Sequence, residues 1–488
     1  MNSSESSKGF PSIPPEAGLP ALRVAQAMRR PIERFLHIEA ASGILLIIAA
    51  AAALIWANSP WANSYDSLWH TPLRIGIGEW TMEESLHFWI NDLLMALFFL
   101  VAGLEIKREM VHGALSDIQR AALPLAVAIG GMLVPAAIYA SLNWGGPGAS
   151  GWGVPMATDI AFAVGVLTIL GRRVPPALRV LLLAFAVIDD LGAILVIAVF
   201  YSSSIAVDGL MLAAGGIFLV WLFGRMGVRP GAPLILPFMI IWAGLYRAGI
   251  HPSIEGVIVG LMIPARAWYG TTGFIRTTRK ALVEFEEKAE AGETGAELIE
   301  PLEEIALASR EAVAPVVRLE HQLHSWVAYG IMPLFALANA GVSLGGIDFS
   351  EPGTFAVMSG VALGLLVGKP LGVILFAWIA VRLRLCVLPQ GVTWGGMTIV
   401  GMAAAIGFTM AIFIAELAYG DPNLLSVAKI GVLVATAVAA TLALVLGRII
   451  LPAQPDSVAE VGEGSVESTS EFWTMDGAAA AGTSGHTP

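Results

Sequence analysis

Apolar residues gather into twelve runs along the chain, centred near Ile47, Leu97, Ile129, Ala161, Val187, Gly216, Ile241, Val257, Leu334, Val367, Ile406 and Ala437. Most approach the ~20 residues that a helix needs to cross a bilayer, so the pattern predicts an all-α polytopic membrane protein of twelve transmembrane helices in one bundle. The fourth, eighth and eleventh runs are short or broken. GVPMATDIAFAVG in the fourth and GMAAAIGFTMAIFIA in the eleventh each set a Thr beside small residues and a Gly-flanked break in mid-span. Paired interrupted spans in the two halves of a chain point to an alternating-access binding site.

The polar segments set the organisation. Residues 1–37 read as a polar N-terminal extension, and residues 38–451 as the transmembrane domain. A charged, Glu-rich and partly helical cytoplasmic insertion interrupts that domain at 267–314, and a solvated insertion is the simplest account of it. Residues 452–488 form an acidic Gly/Ser/Glu-rich tail that reads as disordered. Between the first two spans, TPLRIGIGEWTME alternates apolar and polar positions, which fits a small external hairpin at 71–83 or an irregular loop.

Composition agrees: the 488 residues are 56% hydrophobic and 13% charged, with a mean hydropathy of +0.75. The net charge of −11 marks no partner, because the acids concentrate in the insertion and the tail. With the N-terminus inside, most of the 27 basic residues fall on the cytoplasmic side, among them Arg29, Arg30, Lys107, Arg108, Arg172, Arg173, Arg382 and Arg448. Both termini are therefore expected in the cytoplasm. The run after RRPIER has the outline of a signal peptide, but the tally of spans works only if it is retained. The single cysteine, Cys386, excludes an internal disulfide and a Cys-based metal cluster.

Charges inside the apolar runs carry the chemistry. Asp159, Asp189, Asp190 and Lys369 lie centrally, and left unpaired they would together cost on the order of 10 kcal/mol. A structural salt bridge to Lys369 would use one acid and leave the other unexplained. In AFAVIDDLGAIL, adjacent helical residues point ~100° apart, so one aspartate can face a wet cavity while the other turns toward Lys369. A hard cation such as Na+ or Li+ takes oxygen ligands, and it competes with protons for the same carboxylates. Asp159, beside Thr158 at the break of the fourth span, fits either a cation ligand or the compensation of half-helix dipoles. Asp92 in WINDLLMALFF reads as a helix cap, and Glu255 and Glu416 read as exposed near external ends.

A second cluster lies at the cytoplasmic mouth. GLEIKREM puts Glu105 and Glu109 at i, i+4 around Lys107 and Arg108, and RLEHQLHSW brings Glu320, His321 and His324. These groups suit a pH-responsive funnel or ordinary interfacial charge. His321 and His324 lack further ligands for a shared metal.

VAGLEIKREM, ATDIAF, AVIDDLGA, RLEHQLHSWVAY, MPLFALANAGVSL, LVGKPLG and IGFTMAIFIA, in this order, resemble the NhaA-type Na+/H+ antiporters of bacterial inner membranes, from about Ile38 to Leu451. The resemblance implies inverted-topology repeats, crossed discontinuous helices four and eleven, and electrogenic exchange of two inward protons for each outward Na+ or Li+. It implies that Asp190 is the main ion ligand, Asp189 the second acid and Lys369 its ammonium partner, with Thr158 and Asp159 at the crossing. Glu105, Glu109, Glu320, His321, His324 and His251 match positions linked to pH sensing, and the hairpin matches an element that pairs protomers in a homodimer. Na+, Li+, H+ and the lipid bilayer are the implied partners, with no cofactor and no nucleic acid.

The chain departs from the family pattern in four places. Ala405 stands where a Gly is usual, the insertion at 267–314 replaces a shorter loop, Glu255 is unusual, and both termini are extended. Rival readings lack their motifs. No GxGD accompanies the aspartates as in an intramembrane protease, Ala193 falls where a DDxxD run needs its third acid, and no nucleotide-binding loop is present. A Na+-coupled symporter would need a substrate pocket beside the ion site.

Overall fold

The computed structural model describes residues 40–452 apart from 78–79, 203–205 and 294. The N-terminal extension, the acidic tail and the tip of the hairpin lie outside the described residues. Helix α1 (Ala40–Ala57) turns sharply into α2 (Ala62–Trp69), and an antiparallel pair follows, β1 (Pro72–Ile77) and β2 (Trp80–Ser85). The alternation over 71–83 is therefore a hairpin, with Arg74 opposite Glu83 and the two side chains paired. Glu84 accepts a 3.0 Å hydrogen bond from the Tyr246 hydroxyl, which ties the sheet to the bundle.

The bundle continues with α3 (Leu86–His112), α4 (Ile118–Asn143), a 3-10 segment (Ala149–Met156) leading into α5 (Ile160–Leu170), α6 (Pro176–Phe200), α7 (Val207–Arg225), α8 (Ile235–Ala248) and α9 (Ile254–Met262). A helical hairpin, α10 (Gly270–Glu290) and α11 (Ala296–Glu311), fills the insertion. Then come α12 (315–339), α13 (Thr354–Arg382), α14 (Trp394–Ala404), α15 (Phe408–Ala418) and α16 (Pro422–Ile450). Local chemistry sets the boundaries: Ser85, Asp117, Thr393 and Asp421 cap helix N-termini through their side chains, and Pro176, Pro315 and Pro422 occupy first helical positions. Gly249, at φ 74°, closes α8 in the left-handed conformation, and Ile250 N–H returns to the Leu245 carbonyl.

Each predicted apolar centre falls in a helix or, for Ile406, in a break. Among the described residues, seven helices are long and apolar enough to cross a membrane alone, and up to nine are if each bent pair counts as one span. The remainder fall short for physical reasons. α9 has nine residues, ~14 Å of helix, and α12 carries the charges of RLEHQLH.

Among the described residues three helices loosen into wider π turns, at Ile90–Leu94 in α3, Val327–Ile331 in α12 and Gly364–Gly368 in α13. The last two end beside Pro333 and Pro370, which lack the N–H that would continue the regular ladder. The third turn delivers Lys369 into the core. Small residues bring α13 close there: a Cβ on Gly368 would lie 2.7 Å from Pro135 Cα, and one on Gly372 would lie 2.1 Å from the Gly130 carbonyl. In a bilayer, where lipid and side chain are equally apolar, such close backbone packing is what holds helices together.

Candidate functional site

The two interrupted spans meet at their breaks. The Asp159 N–H donates to the Ile406 carbonyl at 2.7 Å, and the Thr158 hydroxyl donates to the Ala404 carbonyl at 3.0 Å. α14 and α15 are bent by 48° around residues 405–407. Ala405 fits this break because its φ of −68° and ψ of −7° lie in the right-handed region, which requires no glycine.

Each break leaves backbone groups that no helix satisfies. The N-termini of α5 and α15 converge on Asp159, which accepts from Phe162 N–H at 3.1 Å, Thr409 N–H at 3.2 Å and the Thr409 hydroxyl. One carboxylate therefore faces the positive ends of two helices. At the opposite polarity, Lys369 Nζ donates to the Met156 carbonyl, at the C-terminal end of the 3-10 segment. Phe408 N–H reaches the Thr436 hydroxyl at 3.3 Å. Replacing Asp159 by alanine is expected to cost about 2–4 kcal/mol, from two helix ends and the lost hydrogen bonds. Asp159→Asn keeps an acceptor and should cost less. Thermal unfolding and cation affinity measured on both variants separate the two roles: compensation alone predicts near-normal affinity in Asp159→Asn, whereas a ligand role predicts its loss.

The adjacent aspartates diverge along α6. Asp189 Oδ2 accepts from Lys369 Nζ at 2.7 Å, with both side chains fully buried. Asp190, 3% exposed, turns instead to a cavity of about 410 Å³ that it lines with Asp159, Glu105, His324, Phe98 and Met410. Among the described residues, Oδ1 of Asp189 and Oδ1 of Asp190 are buried without a hydrogen-bond partner. In a native fold a buried polar atom left without a partner calls for an explanation, a missing ion among them.

At the mouth, Arg108 pairs with Glu320 and lies 3.4 Å from Glu109, and Glu109 accepts from Ala114 N–H at 2.9 Å. Glu105 stands on the cavity wall, 4.0 Å from His324. His321 is exposed. Glu105, Glu109, Glu320 and His324 are thus gathered at one end, whereas His251 is not: its Nε2 lies 3.1 Å from Asp92, its Nδ1 lies 2.7 Å from the Ser253 hydroxyl, and its ring packs edge-on to Phe413.

The structure corrects three sequence expectations. Asp92 does not cap α3; Ser85 does, and Asp92 sits buried in the π turn beside His251. Glu255 is not exposed but fully buried, with neither carboxyl oxygen bonded among the described residues, because the tight packing of Gly256 on the Ala96 backbone draws this first turn of α9 inside. Glu416 is largely covered, paired with Lys429 and 3.9 Å from His87. Sequence reasoning also missed Thr409, the Met156 carbonyl, and the Asn91, Asn339 and His87 cluster, where Asn339 donates to Asn91 at 2.8 Å. Only Thr409 carried a signal, as the threonine that follows the break.

A family model described as Na+/H+ antiporter 1 matches residues 33–446. The protein named Na(+)/H(+) antiporter NhaA 2 of Sorangium cellulosum is 55% identical over 459 residues, 94% of this chain and 98% of the relative. Its namesake from Myxococcus xanthus is 55% identical over 461 residues, 93% and 97% of the two chains. Na(+)/H(+) antiporter NhaA of a Janthinobacterium species is 51% identical over 439 residues, covering 90% and 97%. With the model matched across the whole bundle and half or more of the residues shared end to end, the chain belongs to the Na+/H+ antiporter 1 family.

Proposed function

We propose that this chain is a secondary Na+/H+ antiporter that binds either Na+ or protons at Asp190 and Asp189. The observation that carries the reading is a buried Asp190 oxygen without a partner on the wall of a charged cavity, next to two broken helices. Sodium requires several oxygen ligands, and Asp190, Asp189, Asp159 and the carbonyls at the crossing are the oxygens at hand. Protons and Na+ occupy the carboxylates in turn. The family match and the relatives' names support Na+ and H+ as substrates, and Li+, a smaller hard cation, suits the same donors.

Two carboxylates beside one ammonium also account for electrogenic exchange. If two protons enter for each Na+ that leaves, one net charge moves per cycle, with Lys369 holding Asp189 in the ion-free state. The crossed breaks supply a bistable joint for alternating access, as expected of inverted repeats. The bias of basic residues supports twelve spans in the inner membrane with both termini cytoplasmic, and in that orientation the cavity opens to the cytoplasm. Glu105, Glu109, Glu320, His321 and His324 at its mouth, with His251 deeper, would then adjust activity to pH, serving sodium and pH homeostasis. The hairpin offers two short open strand edges to the same element of a second copy, which favours a homodimer.

The test is dequenching of a pH dye in everted vesicles between pH 6.5 and 9 with Na+, Li+ or K+ added. Dequenching with Na+ and Li+, rising with pH, and none with K+, is expected. A response to K+ alone, or to no cation, would sink the reading.

A further inference from the structure

The insertion carries a charge gradient that the transport cycle does not use. Its base is fixed to the bundle: the Tyr269 N–H donates to the Glu311 carbonyl at 3.2 Å, Arg229 lies 3.1 Å from the buried Glu311 carboxylate, and the Arg229 guanidinium sits 5.8 Å over the Trp268 ring. The chain reaches this base a few residues after α9 and leaves it directly into α12, so both helices of the hairpin begin at the end of the bundle that the proposed arrangement sets at the cytoplasmic membrane surface. Trp268 and Tyr269, each at least two-fifths exposed, are the residue types that settle at the level of lipid headgroups.

From that base α10 presents a stripe of Ile275, Arg276, Arg279, Lys280 and Val283 to the outside, while Ala281 is buried on the opposite face against α11. The three cations span only ~6 Å of helix, and none of them makes an ion pair among the described residues. Further out along α10 the sign reverses, through Glu284, Glu286, Glu287 and Glu290, with Glu297 and Glu300 beside them on α11 and Lys288 paired to Glu284 and Glu300. A helix that is basic and apolar near the bilayer and acidic at its far end is matched to an anionic surface. The base is attracted within a Debye length of the headgroups, and the acidic end is repelled from them.

We propose that the outer stripe of α10 binds the phosphate headgroups of anionic phospholipids in the cytoplasmic leaflet, with Ile275, nearest the base, entering the headgroup boundary. This inference rests on the proposed membrane arrangement. Loss of exchange in vesicles would refute that arrangement without altering the lipid readout.

The experiment places an environment-sensitive fluorophore on Ile275→Cys in a full-length Cys386→Ser protein, reconstituted in phosphatidylcholine with or without phosphatidylglycerol, one lipid brominated at a time. Brominated phosphatidylglycerol is expected to quench the probe more than brominated phosphatidylcholine does. The excess should vanish at high salt and in R276Q/R279Q/K280Q. Equal quenching by both lipids, a water-exposed probe in both vesicles, or an excess that survives the triple substitution would overturn the proposal. Retained Na+-dependent exchange certifies the fold of the triple variant, and should it fail to insert, Arg279→Gln alone is held to the same criterion.

Discussion

Asp190→Asn is expected to abolish Na+-dependent proton movement in everted vesicles while the protein still inserts and unfolds at a near-normal temperature. The asparagine keeps the shape of a side chain that is 3% exposed, so packing on α6 survives. What disappears is the charge. Ligand charge is a main determinant of affinity for hard cations, and losing one of few carboxylates should weaken Na+ binding by about 100-fold or more. The amide also cannot take up and release a proton, so both halves of the exchange fail together. Vesicle dequenching with a parallel measure of membrane insertion checks this, and wild-type exchange by the variant would remove Asp190 from the site.

Lys369→Ala should strongly destabilise the core. It leaves the Asp189 carboxylate fully buried without its cation and the Met156 carbonyl without its donor, and breaking one partner of a buried pair costs about 3–5 kcal/mol. A combined Asp189→Asn/Lys369→Met protein, which buries neither charge, should recover much of that loss. Thermal unfolding of Asp189→Asn, Lys369→Met and the double gives the answer. Strict additivity of the single losses would mean that the two side chains do not depend on each other.

Some of this was legible in the sequence and the rest was concealed, for identifiable reasons. Central charges in apolar runs are costly enough to stand out, so Asp159, Asp189, Asp190 and Lys369 could be named from their positions in the chain alone, and helical geometry separated the two adjacent acids. The breaks in spans four and eleven were visible as Gly and small residues around Thr. The convergence of both half-helices on Asp159 was not, because it depends on which backbone N–H groups meet across 250 positions. Asp92 looked like a cap because it opens an apolar run, but Ser85 had already started the helix and a π turn rotated Asp92 inward. Glu255 was misjudged for a similar reason. Position near a predicted span end says little about burial when a glycine next door allows two helices to touch.

Direct measurement of protons released when Na+ binds to the purified, non-transporting protein is the closest test of competition at Asp190. Titration with Na+ in weakly buffered solution should acidify the medium in the wild type, with an apparent affinity that rises with pH as fewer protons contend for the carboxylates, and Asp190→Asn should release none. Saturable Na+ binding without proton release, at a pH-independent affinity, would contradict the account.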